Sequence, residues 1–341
     1  MGCLALSLQY CARDLVRDGQ IAAGPKELNQ NFETLSEENI EKIVVKKHKA
    51  EEVRAKSKPK VVTKGKNNKS KEPAQRVAED SAIWIPKRWP YGLGEKASYV
   101  LRWGLIEGGI ATIEVKDMKV LDGEPVIHYQ ADAKSSKVLD FIYKVHDTVD
   151  TWVGLADHLP RRQELRQNES GRWGKRVVVF NHEKKAVSYY SHTTKKDGQV
   201  VEIRRDDPLE NYPQDIFGAI FFYRFADSLQ NLNFPVHDRW KHWSNEMIFE
   251  GKERIQLPAG EFDTVRYKMN PRITGQFKPQ ADVKIWFRDD DSKFMLKFKA
   301  KIRIGWVTGE MKSYSPGKKI DLPLPKMKTP TNLSRLGKLP K

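Results

Sequence analysis

Alternation of apolar and polar side chains in short runs is the feature that most limits what this chain can fold into. It occurs in Ala97–Trp103, Ile110–Met118 and Val126–Ala133, and it returns twice further along the chain. A period of two residues places successive side chains on opposite faces of a β-strand. Gly108-Gly109 and Asp122-Gly123 supply the turns between these runs. The pattern therefore predicts a meander of antiparallel strands.

One apolar stretch interrupts the strands. Pro213–Gln230 is rich in apolar residues and lacks turn signals, which favours a helix with Asp215 as its cap. Beyond it, Trp240–Phe249 and Gly251–Leu257 are predicted as two separate strands. The alternating runs along the whole chain predict about thirteen short strands. A sheet of that size must curl, close or split into two layers. We expect a mainly β fold, a large curved antiparallel sheet or open barrel packed on one helix with a flexible N-terminal extension; a β-sandwich is the alternative.

Changes in composition divide the chain into five parts. Residues 1–25 are interpreted as a remnant signal or lipid-anchor segment, and residues 26–55 as a weak amphipathic helix. Residues 56–80 have the composition of a basic, flexible linker. The β-rich domain is expected over 81–315, followed by a basic, proline-containing tail over 316–341.

The two cysteines lie close to the start of the sequence. Met1–Tyr10 is apolar but short, and no basic region precedes it. Cys3 follows a small residue but lacks the upstream chain of a lipoprotein signal, whereas Cys11 has Leu8 three places before it but the bulky Tyr10 directly before it. Lipidation at Cys3 or Cys11 is one prediction. An ordinary short helix with two free thiols is the other.

The charge is unevenly distributed, with a formal net value of +16. The excess of Lys and Arg lies mainly in the segments that flank the β-rich part. The basic stretch 42–76 contains no Phe, Tyr or Trp, which favours a solvated linker, with an anionic membrane surface as its partner, over a nucleic-acid site. No run approaches the roughly 18 apolar residues of a transmembrane helix. Two cysteines are too few for a disulfide scaffold or a cysteine zinc site.

Six short motifs follow one another in a fixed order along residues 95–314. They are Tyr99–Gly108, Asp140–Asp147, Leu159-Pro160, Asp215–Arg224, Pro258–Thr264 and Ile285–Asp289. Together they resemble a family of exported bacterial proteins that is catalogued as domain of unknown function three-one-zero-eight. The resemblance implies export to the periplasm or the cell surface and a β-rich domain. It brings no established activity and no catalytic residues.

Signatures of catalysis are weak. The sequence has no Gly-x-Ser-x-Gly elbow, no phosphate-binding loop and no His-Glu-x-x-His helix. His146-Asp147 and Asp157-His158 could form an acid–base or metal cluster, but their spacing matches no ligand pattern. Asp289–Asp291 lacks the Gly and Glu of a calcium loop, so an acidic turn is the better interpretation. We predict no catalytic residue, no metal and no cofactor, and a hydrolase is only a distant alternative.

Aromatic residues beside acids and an arginine suggest a binding site. Aromatic faces can stack on sugar rings, and polar groups beside them orient a ligand in a concave site. The alternative is that most of these rings fill a thick β core. Arg224, on the apolar helix, requires a partner such as Asp140, Asp147 or Asp215. The predicted ligand-binding residues are Trp103, Tyr143, Asp147, Trp152, Tyr223, Arg224, Trp286 and Asp289.

These observations favour a non-catalytic exported envelope protein in the periplasm or at the outer membrane, with a lipid anchor where Cys3 or Cys11 is modified. Its concave sheet would bind a glycan or a lipid-like component of the envelope. An apolar cavity would favour a lipid, and an open groove with Trp and acidic side chains would favour a glycan. A structural or assembly factor of the envelope is the alternative.

Overall fold

The structure of the protein is a computed structural model. It describes residues 30–57, 82–210, 212–226, 231–238, 241–273, 282–302 and 305–329. The segment predicted over 1–25, both cysteines and nearly all of the predicted linker lie outside the described residues. Helices and strands are numbered below in chain order.

Eight consecutive strands form the first half of the main sheet. Each pairs antiparallel with the next along the chain, as the alternating pattern predicts. They are β4 (Lys96–Trp103), β5 (Ile106–Leu121), β6 (Glu124–Ser135), β7 (His146–Gly154), β8 (Pro160–Glu169), β9 (Arg172–Asn181), β10 (Ala186–Thr194) and β11 (Val200–Pro208).

Seven strands form the second half. They are β12 (Gln214–Asp215), β13 (Leu232–Asp238), β14 (Lys241–Leu257), β15 (Gly260–Ile273), β16 (Val283–Arg288), β17 (Met295–Ile302) and β18 (Gly305–Ser315). The short strand β12 pairs parallel with β13, and the other pairs are antiparallel. The two halves join where β18 pairs with β4. The sheet therefore runs from β11 through β4 and β18 to β12.

Short strands extend the fold at both ends of the described chain. They are β1 (Phe32–Glu33), β2 (Ala82–Trp84), β3 (Gly92–Leu93), β19 (Lys318–Lys319) and β20 (Met327–Thr329). β1 pairs with β5, β3 with β19, and β2 with β20. Ile320 and Met327 are buried in the main core, so the folded part continues past residue 315 to residue 329.

Within the described residues three helices accompany the sheet: α1 (Glu37–Ser57), α2 (Lys137–Asp140) and α3 (Gly218–Arg224). α1 packs Ile40 and Val44 into the core. α3 is shorter than the helix predicted over 213–230, because Gln214 and Asp215 extend as β12. None of the helices among the described residues has the length and apolar character that crossing a membrane requires.

The structure also differs from the predicted strands around Gly251. β14 is one long strand, and its register with β15 shifts between Phe249 and Gly251. Gly251 has a φ of 143°, which a residue without Cβ adopts easily. The glycine therefore produces a β-bulge within one strand, where the sequence suggested a break between two.

The core fills the concave side of the sheet around α3, all seven residues of which are buried. Phe221 stacks on Tyr129 of β6 with ring centres 3.8 Å apart, and Tyr223 lies 4.3 Å from Phe287 of β16. The helix thus packs against both halves of the sheet. The predicted mainly β fold, a large curved antiparallel sheet on one helix, is confirmed, and the sheet is open, neither closed into a barrel nor split into a sandwich.

Candidate functional site

Asp215 holds the start of α3. Its Oδ1 accepts hydrogen bonds from the backbone N–H groups of Phe217 and Gly218, both at 2.9 Å. Thr151 and Gln163, from β7 and β8, donate to the same oxygen at 3.0 and 2.6 Å. Burial raises the pKa of Asp215, although these donors oppose the rise. The predicted capping role of Asp215 agrees with this geometry.

Arg224 holds the end of α3. Its guanidinium donates to both oxygens of Glu95, to the carbonyl of Ser292 at 2.9 Å and to the carbonyl of Pro90 at 2.8 Å. The rings of Tyr91 and Phe294 lie within cation–π distance, at 5.4 and 5.3 Å. The expectation that this cation is paired holds, but its partner is Glu95. Its donors are used within the protein, so Arg224 positions the helix.

An apolar cavity of about 40 Å³ lies between α3 and the inner face of β13–β16. The helix side contributes Ala219, Ile220 and Tyr223. The sheet side includes Met247 and Phe287, together with other apolar residues of the same strands. Tyr223 is the one predicted binding residue that lines this cavity.

The lining also contains two polar side chains. Asn245 lies in its lining, is 4% exposed, and its Oδ1 has no hydrogen-bond partner among the described residues. Asp238, also in the lining, pairs with Arg176 of β9 at 3.2 Å. Met269 and Ile285 are among the apolar residues that form most of the lining. A buried amide oxygen without a donor costs free energy, and a ligand that donates to it would remove that cost.

The three predicted tryptophans lie apart. Trp152 is adjacent in β7 to the inward-facing Thr151, so it occupies the other face of the sheet, where its ring stacks on His128 at 4.6 Å. Trp286 occupies the outer face of β16 and donates its indole N–H to Glu253 at 2.7 Å. Trp103 lies at the end of β4. They form no shared platform for a sugar ring.

The predicted acids lie at separate places as well. Asp147 is buried beside Glu169, to which Tyr143 donates a hydrogen bond of 2.7 Å. Burial and the Glu169 carboxylate raise the pKa of Asp147 to about 7. Asp289 pairs with Lys252 at 2.6 Å in an exposed turn.

The histidines that could have formed a cluster are separated by the length of β7. His146 hydrogen-bonds Asp132 at 3.0 Å. His158, beyond the other end of the strand, is fully buried and hydrogen-bonds the hydroxyl of Tyr129 at 3.0 Å. Burial lowers the pKa of His158 to about 3, so this ring is neutral at physiological pH.

Comparison with known families decides where this chain belongs. Residues 98–312 match the family described as "Protein of unknown function (DUF3108)", which is more than half of the chain and nearly the span expected from the motifs. The chain belongs to the DUF3108 family. In this DUF3108 chain, Asp215 and Arg224 of the helix motif hold the two ends of α3. Tyr99, from the first motif, donates to the carbonyl of Met295 at 2.7 Å.

Several solved structures are similar to this DUF3108 chain at very low sequence identity. One is a β-barrel-like protein of domain of unknown function DUF1849 from Brucella abortus, with 6% identity, 68% of this chain and 99% of that chain covered, and a TM-score of 0.41. A suspected lipoprotein from Parabacteroides distasonis has 9% identity, 67% and 99% coverage, and a TM-score of 0.29. A suspected exported protein with a YmcC-like fold from Bacteroides fragilis has 7% identity, the same coverage and a TM-score of 0.27. Among curated proteins, none matches the chain.

Sequence reasoning did not select the residues of β14 that line the cavity. Trp243, Asn245 and Met247 alternate along that strand and all three lie in the lining. A polar Asn in an otherwise apolar inward row was the available signal, because such a group needs a partner. The row could be recognised only once the inner face of the strand was known.

Proposed function

We propose that this DUF3108 protein is a non-catalytic envelope protein that binds a lipid-like component in the cavity between α3 and β13–β16. The observation that carries the proposal is an apolar cavity whose lining includes the unpartnered carbonyl oxygen of Asn245. An acyl chain would bury its methylenes against Met247, Met269 and Phe287. A hydroxyl or amide N–H of the ligand would donate to Asn245.

The size of the cavity limits what enters it without rearrangement. A volume of about 40 Å³ accommodates about three heavy atoms, which corresponds to the end of an acyl chain. Met247 and Met269 have unbranched, flexible side chains, so changes of their rotamers would lengthen the space. The lipid form of the proposal is better supported than the glycan form, because Trp103, Trp152 and Trp286 do not share a groove.

The decisive experiment narrows the cavity. In the full chain, Ala219→Met adds three heavy atoms to a side chain in the lining. Binding of a naturally fluorescent polyene fatty acid is expected to weaken by about tenfold or more, since the added atoms occupy the space of the chain end. Ala186→Met, on β10 outside the lining, is the matched control and should bind as the wild type does. Equal binding by all three proteins would contradict the proposal.

Asn245→Leu tests the contribution of the buried amide oxygen separately. Removing a buried oxygen without a donor should leave the melting temperature unchanged or raise it, because no hydrogen bond to that oxygen is lost. Affinity for a long-chain alcohol or amide should fall, whereas affinity for the matching alkane should not. A parallel loss for both probes would show that Asn245 contributes only to the shape of the cavity.

Export is the second component of the proposal. It rests on the family resemblance and on the apolar N-terminus that contains Cys3 and Cys11. Cells that express the full chain with a radiolabelled fatty acid should yield the protein in the envelope fraction. Covalent label that disappears in Cys3→Ser or in Cys11→Ser identifies the lipidated residue. Recovery in the cytoplasmic fraction would contradict export.

A further inference from the structure

One end of the first half of the sheet carries a continuous border of turns. We define the apolar rim as residues 104–110, 135–145, 169–173 and 194–200. Ser136 donates to the carbonyls of Glu107 and Gly108 at 3.1 and 2.8 Å, and Ser170 N–H donates to the carbonyl of Lys144 at 2.9 Å. Thr194 pairs with Trp173 across β9 and β10. These contacts join the four segments into one surface.

The apolar rim exposes large hydrophobic side chains. Leu105 is 99% exposed and Phe141 96%, while Ile142 and Val138 are 72% and 71% exposed. Single exposed apolar residues are ordinary on a protein surface, but several on adjacent turns mark an interaction site. Among the described residues, most of the exposed large hydrophobics belong to this rim.

Charge and aromatic residues surround these side chains. The rim carries five basic residues and four acids; they are Lys137, Lys144, Arg172, Lys195 and Lys196, and Glu107, Asp140, Asp197 and the buried Glu169. Lys137 and Lys144 form no ion pair with another described residue. Tyr143 and Trp173, about half exposed, lie on the same rim. Protruding apolar side chains with Tyr, Trp and Lys beside them are typical of protein surfaces that insert between lipid headgroups and acyl chains.

We propose that the apolar rim docks this protein on the surface of an anionic lipid bilayer. Phe141, Ile142 and Leu105 would enter the acyl region, and the lysines would contact anionic headgroups. A bilayer is the occupant because the hydrophobic side chains protrude from turns, Tyr143 and Trp173 border them, and Lys137 and Lys144 lie beside Phe141 and Ile142 without an ion pair to another described residue. The docking does not require the cavity to hold a ligand, so the two proposals fail independently.

The test is flotation of the full chain with vesicles of phosphatidylcholine containing about 30% phosphatidylglycerol. The variant Phe141→Ser with Ile142→Ser removes the tips, and both positions are exposed enough to leave the fold unchanged. Ile85→Ser, 55% exposed outside the rim, is the matched control. Runs at about 0.5 M NaCl suppress binding through basic segments elsewhere in the chain.

Wild type and Ile85→Ser are expected to float with the vesicles both with and without the added NaCl. The Phe141→Ser, Ile142→Ser variant is expected to bind the vesicles at least about tenfold more weakly. Equal flotation of the rim variant would assign membrane binding to the other basic segments and overturn the proposal. No flotation of wild type, together with self-association that the rim variant loses, would assign the rim to a second copy of the chain. Unchanged fatty-acid binding by the rim variant would separate this result from the cavity proposal.

Discussion

Arg224 joins the helix in the concavity to the chain just before β4 and to the turn after β16. The side chain is 2% exposed, and its contacts with Glu95, Pro90 and Ser292 come from distant parts of the sequence. Loss of the cation would leave the Glu95 carboxylate buried without its partner. An uncompensated buried charge is among the most destabilising defects in a protein.

Arg224→Ala is therefore expected to lower the free energy of unfolding by about 3–5 kcal/mol. Urea unfolding measures the change. Arg288→Ala is the matched control, because Arg288 is 47% exposed and pairs with Asp290 at the surface, where ion pairs contribute about 1 kcal/mol or less. An unchanged stability of Arg224→Ala would contradict the anchoring role.

Asp147 gives the stability a dependence on pH. Its pKa is about 7 in the folded protein, against an ordinary value of 3.8. Between these values the folded state retains a proton that the unfolded chain has lost, so stability falls as pH rises through this window. Asp147→Asn removes the titration. Its stability relative to wild type should be similar at pH 4 and higher by on the order of 3 kcal/mol at pH 8.

Urea unfolding of both proteins across this pH range provides the measurement. Asp263→Asn is the control, since its side chain is 75% exposed. It should shift stability by a small amount that does not depend on pH in this way. A difference between Asp147→Asn and wild type that is constant from pH 4 to pH 8 would exclude the buried carboxyl as its source.

For single residues, the sequence showed which side chains require a partner more clearly than it showed which residue the partner is. An arginine on an apolar helix must be paired, and that requirement was clear from its neighbours. Glu95 could not be identified, because it lies 129 residues away and nearer acids were available. Trp152 and Trp286 could not be assigned to a face from residue type, because aromatic rings serve equally in a core and in a site.

Among the elements, strands were more predictable than the helix. Alternation is a local property, so it located the strands, whereas the bounds of α3 depend on tertiary contacts. Asp215 ends β12 and caps α3 through partners on β7 and β8. The chain beyond residue 315 has few apolar residues, and its strands exist because β2 and β3 are available to pair with them.

Residues 316–329 are expected to contribute to the stability of the folded protein. Ending the chain after Ser315 removes Ile320 and Met327 from the core, and also the carbonyl of Leu322 that accepts from Trp89 at 3.0 Å. The loss should cost about 4 kcal/mol or more and lower the melting temperature by about 10 °C. Ending the chain after Thr329 keeps these contacts and serves as the control. Equal melting temperatures would place 316–329 outside the stable fold.

At the scale of the molecule, the curved antiparallel sheet and its helix followed from the pattern, but strand order did not. Hairpins are specified locally, whereas the pairing of β4 with β18 joins strands about 200 residues apart and has no local signal. The cavity likewise depends on tertiary packing, since its lining combines α3 with four strands of the curved sheet. The sequence therefore could not predict the cavity, whereas it did predict the mainly β fold of the protein.

The two halves of the sheet are expected to unfold together. α3 packs Phe221 on Tyr129 in the first half and Tyr223 on Phe287 in the second, so opening either half exposes the same helix. Calorimetry of the protein should show a single transition. Tyr129→Ala and Phe287→Ala should each move the whole transition to lower temperature. Two separate endotherms in either variant would contradict this coupling.

The pairing of β4 with β18 also has a consequence for synthesis. β18 is the last long strand to leave the ribosome, and the seam that it forms with the start of the domain has a very high contact order. Hairpins can form early, but the core around α3 is complete only when this seam closes. The nascent polypeptide thus lacks its complete core until the C-terminal region has been synthesised.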